Sequence, residues 1–191
     1  MRNKQCVNIN SPKQSPLEPL TLMPAFDRHF AKKHLGFLLT SLDSVRQNTR
    51  YHPEGDVLFH SLQVFQHALK ACADPELWAA ALLHDVGKAV NSHNHAEIGA
   101  NKLEGLFSPR IVWLIRHHLH LLIAPRRTRR WLHNTPQLHD LELLRAWDLK
   151  GRSPYATVMA PLEAVAILMK HFSVLSPSSD MVYYYENREL G

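Results

Sequence analysis

Histidine and aspartate occur in this sequence at a spacing that can bind a metal ion. His84 and Asp85 are adjacent at the end of an apolar segment, PELWAAALLHDV; His60 precedes them, and Asp148 follows in the apolar segment LLRAWDL. Imidazole is the commonest metal ligand in proteins, and a mixed nitrogen and oxygen set suits Mn, Ni, Mg, Fe or Zn. We therefore expect these four side chains, from three helices, to hold a divalent cation.

The position of Asp85 gives a physical reason for a cation. The segment PELWAAALLHDV is apolar on nearly every side, which predicts a helix buried at the centre of the protein. The C-terminal end of a helix carries partial negative charge, so a buried carboxylate there is destabilising unless a cation lies beside it. His60 is less informative by itself, because a histidine off the apolar stripe of its helix fits a surface or hydrogen-bonded position equally well.

Helix starts are marked along the chain from about residue 24. Asp56, Asp74, Ser108 and Thr135 have N-cap side chains, and proline follows the last three at the first helical position. No segment has the two-residue alternation of a strand. The sequence predicts an all-α fold, a compact bundle of six to eight helices without significant sheet.

The composition is that of a soluble globular domain. The chain has 191 residues, of which 45% are hydrophobic and 20% charged, and this length is most economically one domain. We expect a loose N-terminal arm at 1–22, a helical domain at 23–175 and a polar tail at 176–191. Without an apolar run of about 18 residues or a secretory signal, a cytoplasmic location without membrane contact is expected.

The spaced residues and the sequence around them resemble the HD-domain metal-dependent phosphohydrolases. That family has a lone His, an adjacent His-Asp and a later Asp, matched here by His60, His84, Asp85 and Asp148. The stretches HPEGDVLFH, AALLHDVGKA, HAEIGA and DLKGR are similar to the HD domain appended to bacterial CCA-adding tRNA nucleotidyltransferases. The resemblance covers residues 52–152 and implies an HD-type helical fold.

The resemblance also bears on the number of metal ions. Many HD proteins hold a second ion with a His from an H-x-x-x-G element, which His95 and Gly99 match, and a His from a later helix. His117 and His118 are the candidates for the latter, and His118 aligns better. One ion and two ions both stay open.

The ligand set predicts hydrolysis of a phosphoester. A metal so held activates a water and polarises the phosphoryl group. Asp85 is expected to bridge metals or orient the nucleophile, and Lys88 to neutralise developing charge. Arg152, which resembles the family's Gly-Arg element, is expected to grip phosphate; Lys88 and Arg152 also fit as solvated cations. His52 either shapes the entrance, donates a proton, or is a turn residue before Pro53.

A basic run, RRTRRW, lies between two predicted helices and is expected to be a loop. Arg126 and Arg127, with two further arginines and Trp131, could hold a nucleic-acid backbone and an unstacked base, or form a solvated connector. The net charge of +5 favours anionic partners. We expect a phosphorylated small molecule or nucleotide as partner, with RNA as a further candidate.

The expected function is therefore a divalent-metal-dependent phosphohydrolase. The resemblance implies a phosphomonoester or a 2′,3′-cyclic phosphodiester of a nucleotide or RNA end as substrate. A non-catalytic nucleotide- or RNA-binding HD module and a dinuclear iron oxygenase of HD type are the alternatives. The length leaves no room for a polymerase portion, so we do not expect CCA addition. The cluster Tyr183, Tyr184 and Tyr185 either packs back on the bundle or forms a homodimer contact.

Overall fold

The computed structural model describes residues 27–177, and most of this part of the chain is helical. It contains no strand; an isolated antiparallel bridge joins Arg46 and Asp56. The expected all-α fold is confirmed. In chain order the α-helices are α1 (Arg28–Thr40), α2 (Val57–Ala71), α3 (Pro75–Leu83), α4 (His95–Leu103), α5 (Pro109–His117), α6 (His120–Ile123), α7 (Pro125–Trp131), α8 (Pro136–Lys150), α9 (Pro161–Met169) and α10 (Phe172–Leu175).

The predicted caps begin the helices that carry the candidate site. The side chains of Asp56, Asp74, Ser108 and Thr135 accept hydrogen bonds from backbone N–H groups of the first helical turn, at 2.9–3.4 Å. Each cap satisfies a donor that has no partner within the helix. Residues 27–177 contain ten α-helices, more than the six to eight expected, because three short ones, α6, α7 and α10, were not anticipated.

Helix α3 lies between two apolar clusters, as its all-round apolar sequence predicts. Leu77 and Ala81 pack in one cluster with residues of α5 and α8. Leu82 and Leu83 pack in the other with residues of α1, α4 and α9. Because both clusters hold α3, the residues that follow Leu83 start from a fixed position in the interior.

Two segments differ from the sequence expectation. Helix α3 ends at Leu83, and Gly87, expected to end it, lies in a separate 3-10 helix, Val86–Ala89. The run RRTRRW, expected as a loop, forms α7, because Pro125 occupies the first turn and the Thr128 hydroxyl donates to the carbonyl groups of Ala124 and His120. These hydrogen bonds also tie α7 to α6.

The expected arm, the tyrosine cluster at 183–185 and most of the expected tail lie outside residues 27–177. The domain limits therefore stay predictions. Of the helices within the described range, none combines the length and apolar character that crossing a membrane requires.

Candidate metal centre

Four histidines and two aspartates from five parts of the chain meet in one buried cluster. At most 8% of any of these residues is exposed. Two of the six residues follow the end of α3. Of the other four, one each comes from α2, from α4, from the end of α5 and from α8. We call this set the histidine–aspartate cluster: His60, His84, Asp85, His95, His118 and Asp148.

The carboxylate of Asp85 lies between two pairs of imidazoles. Its Oδ2 is 3.5 Å from Nε2 of His84 and 3.9 Å from Nε2 of His60. Its Oδ1 is 3.2 Å from Nε2 of His95 and 3.9 Å from Nε2 of His118. The ligand atoms therefore fall into two groups of three that share Asp85, each close enough together for one cation.

Asp148 completes the first of these groups from α8. Its Oδ1 lies 3.3 Å from Nε2 of His60. Arg145 and Arg152 form ion pairs with the same carboxylate at 2.6 and 3.2 Å, so Asp148 is compensated even though it is buried. Although burial favours the neutral acid, the His60 imidazole and the other nearby positive charges hold the pKa of Asp148 well below its usual range.

Backbone carbonyl groups fix how the imidazoles are oriented. Nδ1 of His84, His95 and His118 lies 3.0, 2.7 and 2.6 Å from the carbonyl oxygen three residues earlier in each case. Nδ1 of His60 lies 2.9 Å from the carbonyl oxygen of Gly151. In a neutral ring Nδ1–H donates to that oxygen, which leaves the lone pair of Nε2 directed at the aspartates, as a metal ligand requires.

Nε2 of His60 tests whether a cation fits. This atom is buried and has no hydrogen-bond partner of good geometry among residues 27–177. A buried polar atom without a hydrogen bond destabilises the folded protein. Although burial opposes the charged ring, the carboxylates of Asp148 and Glu54 raise the pKa of His60 to about 9. A site that binds a proton this strongly also attracts a divalent cation, so the donor set fits a metal ion.

Glu54 belongs to the site although sequence reasoning did not find it. Its side chain is fully buried, and Oε1 lies 2.9 Å from Nδ1 of both His52 and His60. Although burial favours the neutral acid, hydrogen bonds to His60, the backbone and His52 lower the pKa of Glu54. Its sequence position between Pro53 and Gly55 indicates a turn, where a glutamate is ordinarily solvated, and no periodic pattern marks it.

The predicted cations lie beside the cluster. Nζ of Lys88 is 2.7 Å from Oδ2 of Asp85 and 2.6 Å from Oε1 of Gln47. Arg152, besides its ion pair with Asp148, donates from Nη1 to the backbone oxygen of Tyr51 at 3.1 Å. The imidazole of His52 is half-buried and lies edge-on to that of His60, with ring centres 5.3 Å apart.

His117, Arg126 and Arg127 are not brought into this cluster. His117 turns away from its neighbour His118. Its Nδ1 lies 2.8 Å from the backbone oxygen of Trp113, and its ring stacks on the ring of Trp113 with the ring centres 4.4 Å apart. Arg126 and Arg127 are exposed on α7. The second-ion candidate that meets Asp85 and His95 is therefore His118.

Two glycines allow the helices to approach closely enough to form the cluster. A Cβ atom at Gly87 would lie 2.0 Å from the backbone oxygen of His95, and one at Gly151 would lie 2.6 Å from Cγ2 of Val64. Gly87 thus permits the segment after Asp85 to pack against α4, and Gly151 permits its own carbonyl group to reach His60 on α2.

The helical fold and the buried cluster define an HD-type domain. A model of the family described as "HD domain" matches residues 57–157, just over half of the chain. The chain belongs to the HD-domain family. This confirms the resemblance found in the sequence and places the chain in a superfamily of metal-dependent phosphohydrolases, whose HD domains bind divalent metals.

Curated relatives carry the description "Multifunctional CCA protein". The one from Methylococcus capsulatus is 30% identical over 154 residues, covering 77% of this chain and 32% of that protein. The one from Hahella chejuensis is 36% identical over 75 residues, covering 36% of this chain and 18% of that protein. The chain thus spans less than a third of the length of these relatives.

Proposed function

We propose that the chain is a divalent-metal-dependent phosphohydrolase acting on a phosphomonoester or a 2′,3′-cyclic phosphodiester of a nucleotide or RNA end. The observation that carries the proposal is the buried carboxylate of Asp85, whose two oxygens each lie within 4 Å of two imidazole nitrogens. Membership of the HD family supports the reaction class. The choice of nucleotide or RNA end rests on the resemblance to the HD domain of CCA-adding enzymes.

The ligand set favours two ions. In this proposal one ion is held by His60, His84, Asp85 and Asp148, and a second by Asp85 with His95 and His118. The division of the Asp85 oxygens between two groups of nitrogen ligands supports this number. Four imidazoles in one site favour Mn, Fe, Ni or Zn over Mg, which prefers oxygen ligands.

The surrounding residues then have distinct tasks. When bound, a divalent ion supplies Lewis-acid activation of a water and of a phosphoryl oxygen. Lys88, held by Gln47 beside Asp85, presents an ammonium group where negative charge develops on the phosphoryl group. Arg152, anchored on Asp148 and on the Tyr51 backbone, presents its planar guanidinium for binding phosphate.

His52 and Glu54 support one edge of this arrangement. Burial lowers the pKa of His52 although Glu54 opposes that effect, so the ring is neutral near pH 7. A neutral imidazole beside Glu54 suits a residue that shapes the entrance better than one that donates a proton. Glu54 itself orients the ring of His60 from the side opposite Asp148.

Hydrolysis of defined phosphoesters, followed as ring-opened nucleotide for a cyclic diester and as phosphate for a monoester, tests the proposal. The full chain, loaded with Mn²⁺ or Ni²⁺, is assayed with 2′,3′-cyclic AMP, 2′-AMP and p-nitrophenyl phosphate, beside the Asp85→Asn variant and the matched control Asp43→Asn, whose side chain is exposed. We expect metal-dependent hydrolysis by the wild type and by the control, and none by Asp85→Asn. Hydrolysis that survives both chelation and Asp85→Asn would overturn the proposal.

Two other results would indicate the alternative functions. Metal and nucleotide binding without turnover would indicate a non-catalytic module, and bound iron with oxygen consumption would indicate an oxygenase.

A further inference from the structure

Helices α6 and α7 form an exposed surface that combines arginines with partly exposed rings. The hydrolysis proposed above uses none of its residues. Two of them, Arg126 and Arg127, were candidates for binding a nucleic acid on sequence grounds. We call it the α6–α7 surface and define it by six residues: His120, Ile123, Arg126, Arg127, Arg130 and Trp131.

The charge of this surface is largely uncompensated. Arg126, Arg127, Arg129 and Arg130 are all exposed. Arg129 forms an ion pair with Glu142 at 3.0 Å, whereas the other three make no ion pair with any residue in the 27–177 range. Clustered guanidinium groups without acidic partners attract anions, and their planar fork matches the geometry of phosphate.

Aromatic rings and an apolar side chain lie among these charges. The ring of Trp131 lies 6.0 Å from that of His120 and 5.7 Å from that of His117, and all three residues are partly exposed. Ile123 is 72% exposed, although an isoleucine is ordinarily buried. Between Ile123, His120 and Arg127 lies a depression of about 180 Å³. Flat rings beside an apolar depression suit a base with its face uncovered.

The α6–α7 surface begins next to the end of α5, which carries His118 of the histidine–aspartate cluster. His118 directs its ring toward Asp85, and the preceding residue, His117, directs its ring toward Trp131 and His120. Adjacent Cα atoms are about 3.8 Å apart. The end of α5 therefore lies between the α6–α7 surface and the buried histidine–aspartate cluster.

From this arrangement we propose that the α6–α7 surface binds a single-stranded polynucleotide. The arginines bind successive phosphates, and Trp131 and His120 stack against unpaired bases. A duplex fits less well, because its bases are already stacked on one another and present no free face to the rings. This binding does not depend on turnover and is independent of the proposed hydrolysis.

Binding of a labelled oligonucleotide to the full chain tests this inference without catalysis. Fluorescence anisotropy is measured in EDTA with a 12-nucleotide RNA, the DNA of the same sequence and the corresponding duplex. The test variant is Arg126→Glu with Arg127→Glu, and the matched control is Lys32→Glu with Lys33→Glu, two exposed lysines on α1. We expect the test variant to bind a single strand roughly tenfold or more weakly and the slope of log K against log salt to fall by about 1.4, while the control keeps most of its affinity.

A second pair of variants separates stacking from charge. Trp131→Ala is expected to weaken binding roughly tenfold and Trp131→Phe to retain most of it, since stacking needs a ring. Equal binding by the wild type and the arginine variant would overturn the inference, as would a preference for the duplex. Binding to phosphatidylglycerol vesicles without binding to either single strand would also overturn it, because the arginines and Ile123 would then serve a lipid surface. Metal-dependent phosphoester hydrolysis by the wild type without oligonucleotide binding would refute this inference alone and leave the hydrolase proposal standing.

Discussion

Glu54 and His60 form a buried carboxylate–imidazole pair in which Oε1 of Glu54 lies 2.9 Å from Nδ1 of His60. The opposite nitrogen of the same ring faces Asp148 at 3.3 Å. A carboxylate behind a metal-binding histidine fixes the ring and increases its basicity. We therefore expect Glu54 to act through the His60 ring on an ion bound at this site, without touching the ion.

Replacing Glu54 by glutamine is expected to weaken metal binding. The change removes the negative charge behind His60 but keeps the size of the side chain, and loss of such an outer partner typically costs 10–100-fold in metal affinity, so we expect a drop of roughly that size. Titration calorimetry with Mn²⁺ measures it. Glu163→Gln, an exposed position on α9, is the control. Equal affinities in the two variants would mean that Glu54 has no part in the site.

Adjacent histidines at the end of α5 should differ in their effect on metal content. His118 faces Asp85 and His95, whereas His117 packs on Trp113. Elemental analysis of Mn²⁺-loaded protein is expected to find two ions per chain in the wild type and in His117→Phe, but one in His118→Phe. A ratio of two in His118→Phe, or of one in the wild type, would contradict the two-ion arrangement.

The elements of this fold were predictable where local chemistry fixes them. The caps at Asp56, Asp74, Ser108 and Thr135 mark helix starts because each side chain satisfies a specific backbone donor. The His84–Asp85 pair was predictable because a carboxylate at the end of an apolar helix needs a cation.

Other parts of the site depend on tertiary packing and leave no local signal. Glu54 joins the site through His60 of α2, a tertiary contact that its own turn does not reveal. His117 and His118 differ by one helical step of about 100° at a helix end, so the helical pattern alone does not fix which of them faces inward; the resemblance favoured His118. The expectation of a loop at RRTRRW was wrong because hydrogen bonds from Thr128 stabilise a helix there.

Substituting alanine for glycine is expected to have opposite effects at two positions. At Gly87 a Cβ atom would overlap the backbone oxygen of His95, so Gly87→Ala must displace α4 and lower the melting temperature. At Gly36, inside α1, a Cβ atom would meet no atom within 4 Å among residues 27–177, apart from its chain neighbours and the backbone of its own helix. Gly36→Ala should therefore raise stability by about 0.5–1 kcal/mol, because glycine is a poor helix former. Thermal unfolding of the metal-free proteins measures both, and a stabilised Gly87→Ala variant would contradict the close packing of this segment.

His117 should make the fold sensitive to acid. Burial lowers its pKa to about 4, so the folded protein favours the neutral ring while the unfolded chain takes up a proton near pH 6.5. Stability contributed by the neutral ring is therefore present above pH 6.5 and is lost as pH falls toward 4. Between pH 7 and pH 5 the loss is about 2 kcal/mol.

Denaturant unfolding in EDTA at pH 7 and pH 5 measures this dependence. The variant His117→Phe keeps a ring against Trp113 but has no titrating group, so it should lose less stability than the wild type over the same interval. An identical loss in both proteins would show that His117 does not contribute to the acid sensitivity.

Anomalous diffraction from a crystal of the full chain grown with Mn²⁺ tests the central claim most directly. We predict a strong peak at coordinating distance, about 2.0–2.3 Å, from Nε2 of His60 and His84 and from carboxylate oxygens of Asp85 and Asp148. A second peak is expected between Asp85, His95 and His118. Saturating Mn²⁺ with no peak at the histidine–aspartate cluster, and with His60 and Asp148 still facing each other directly, would contradict the account.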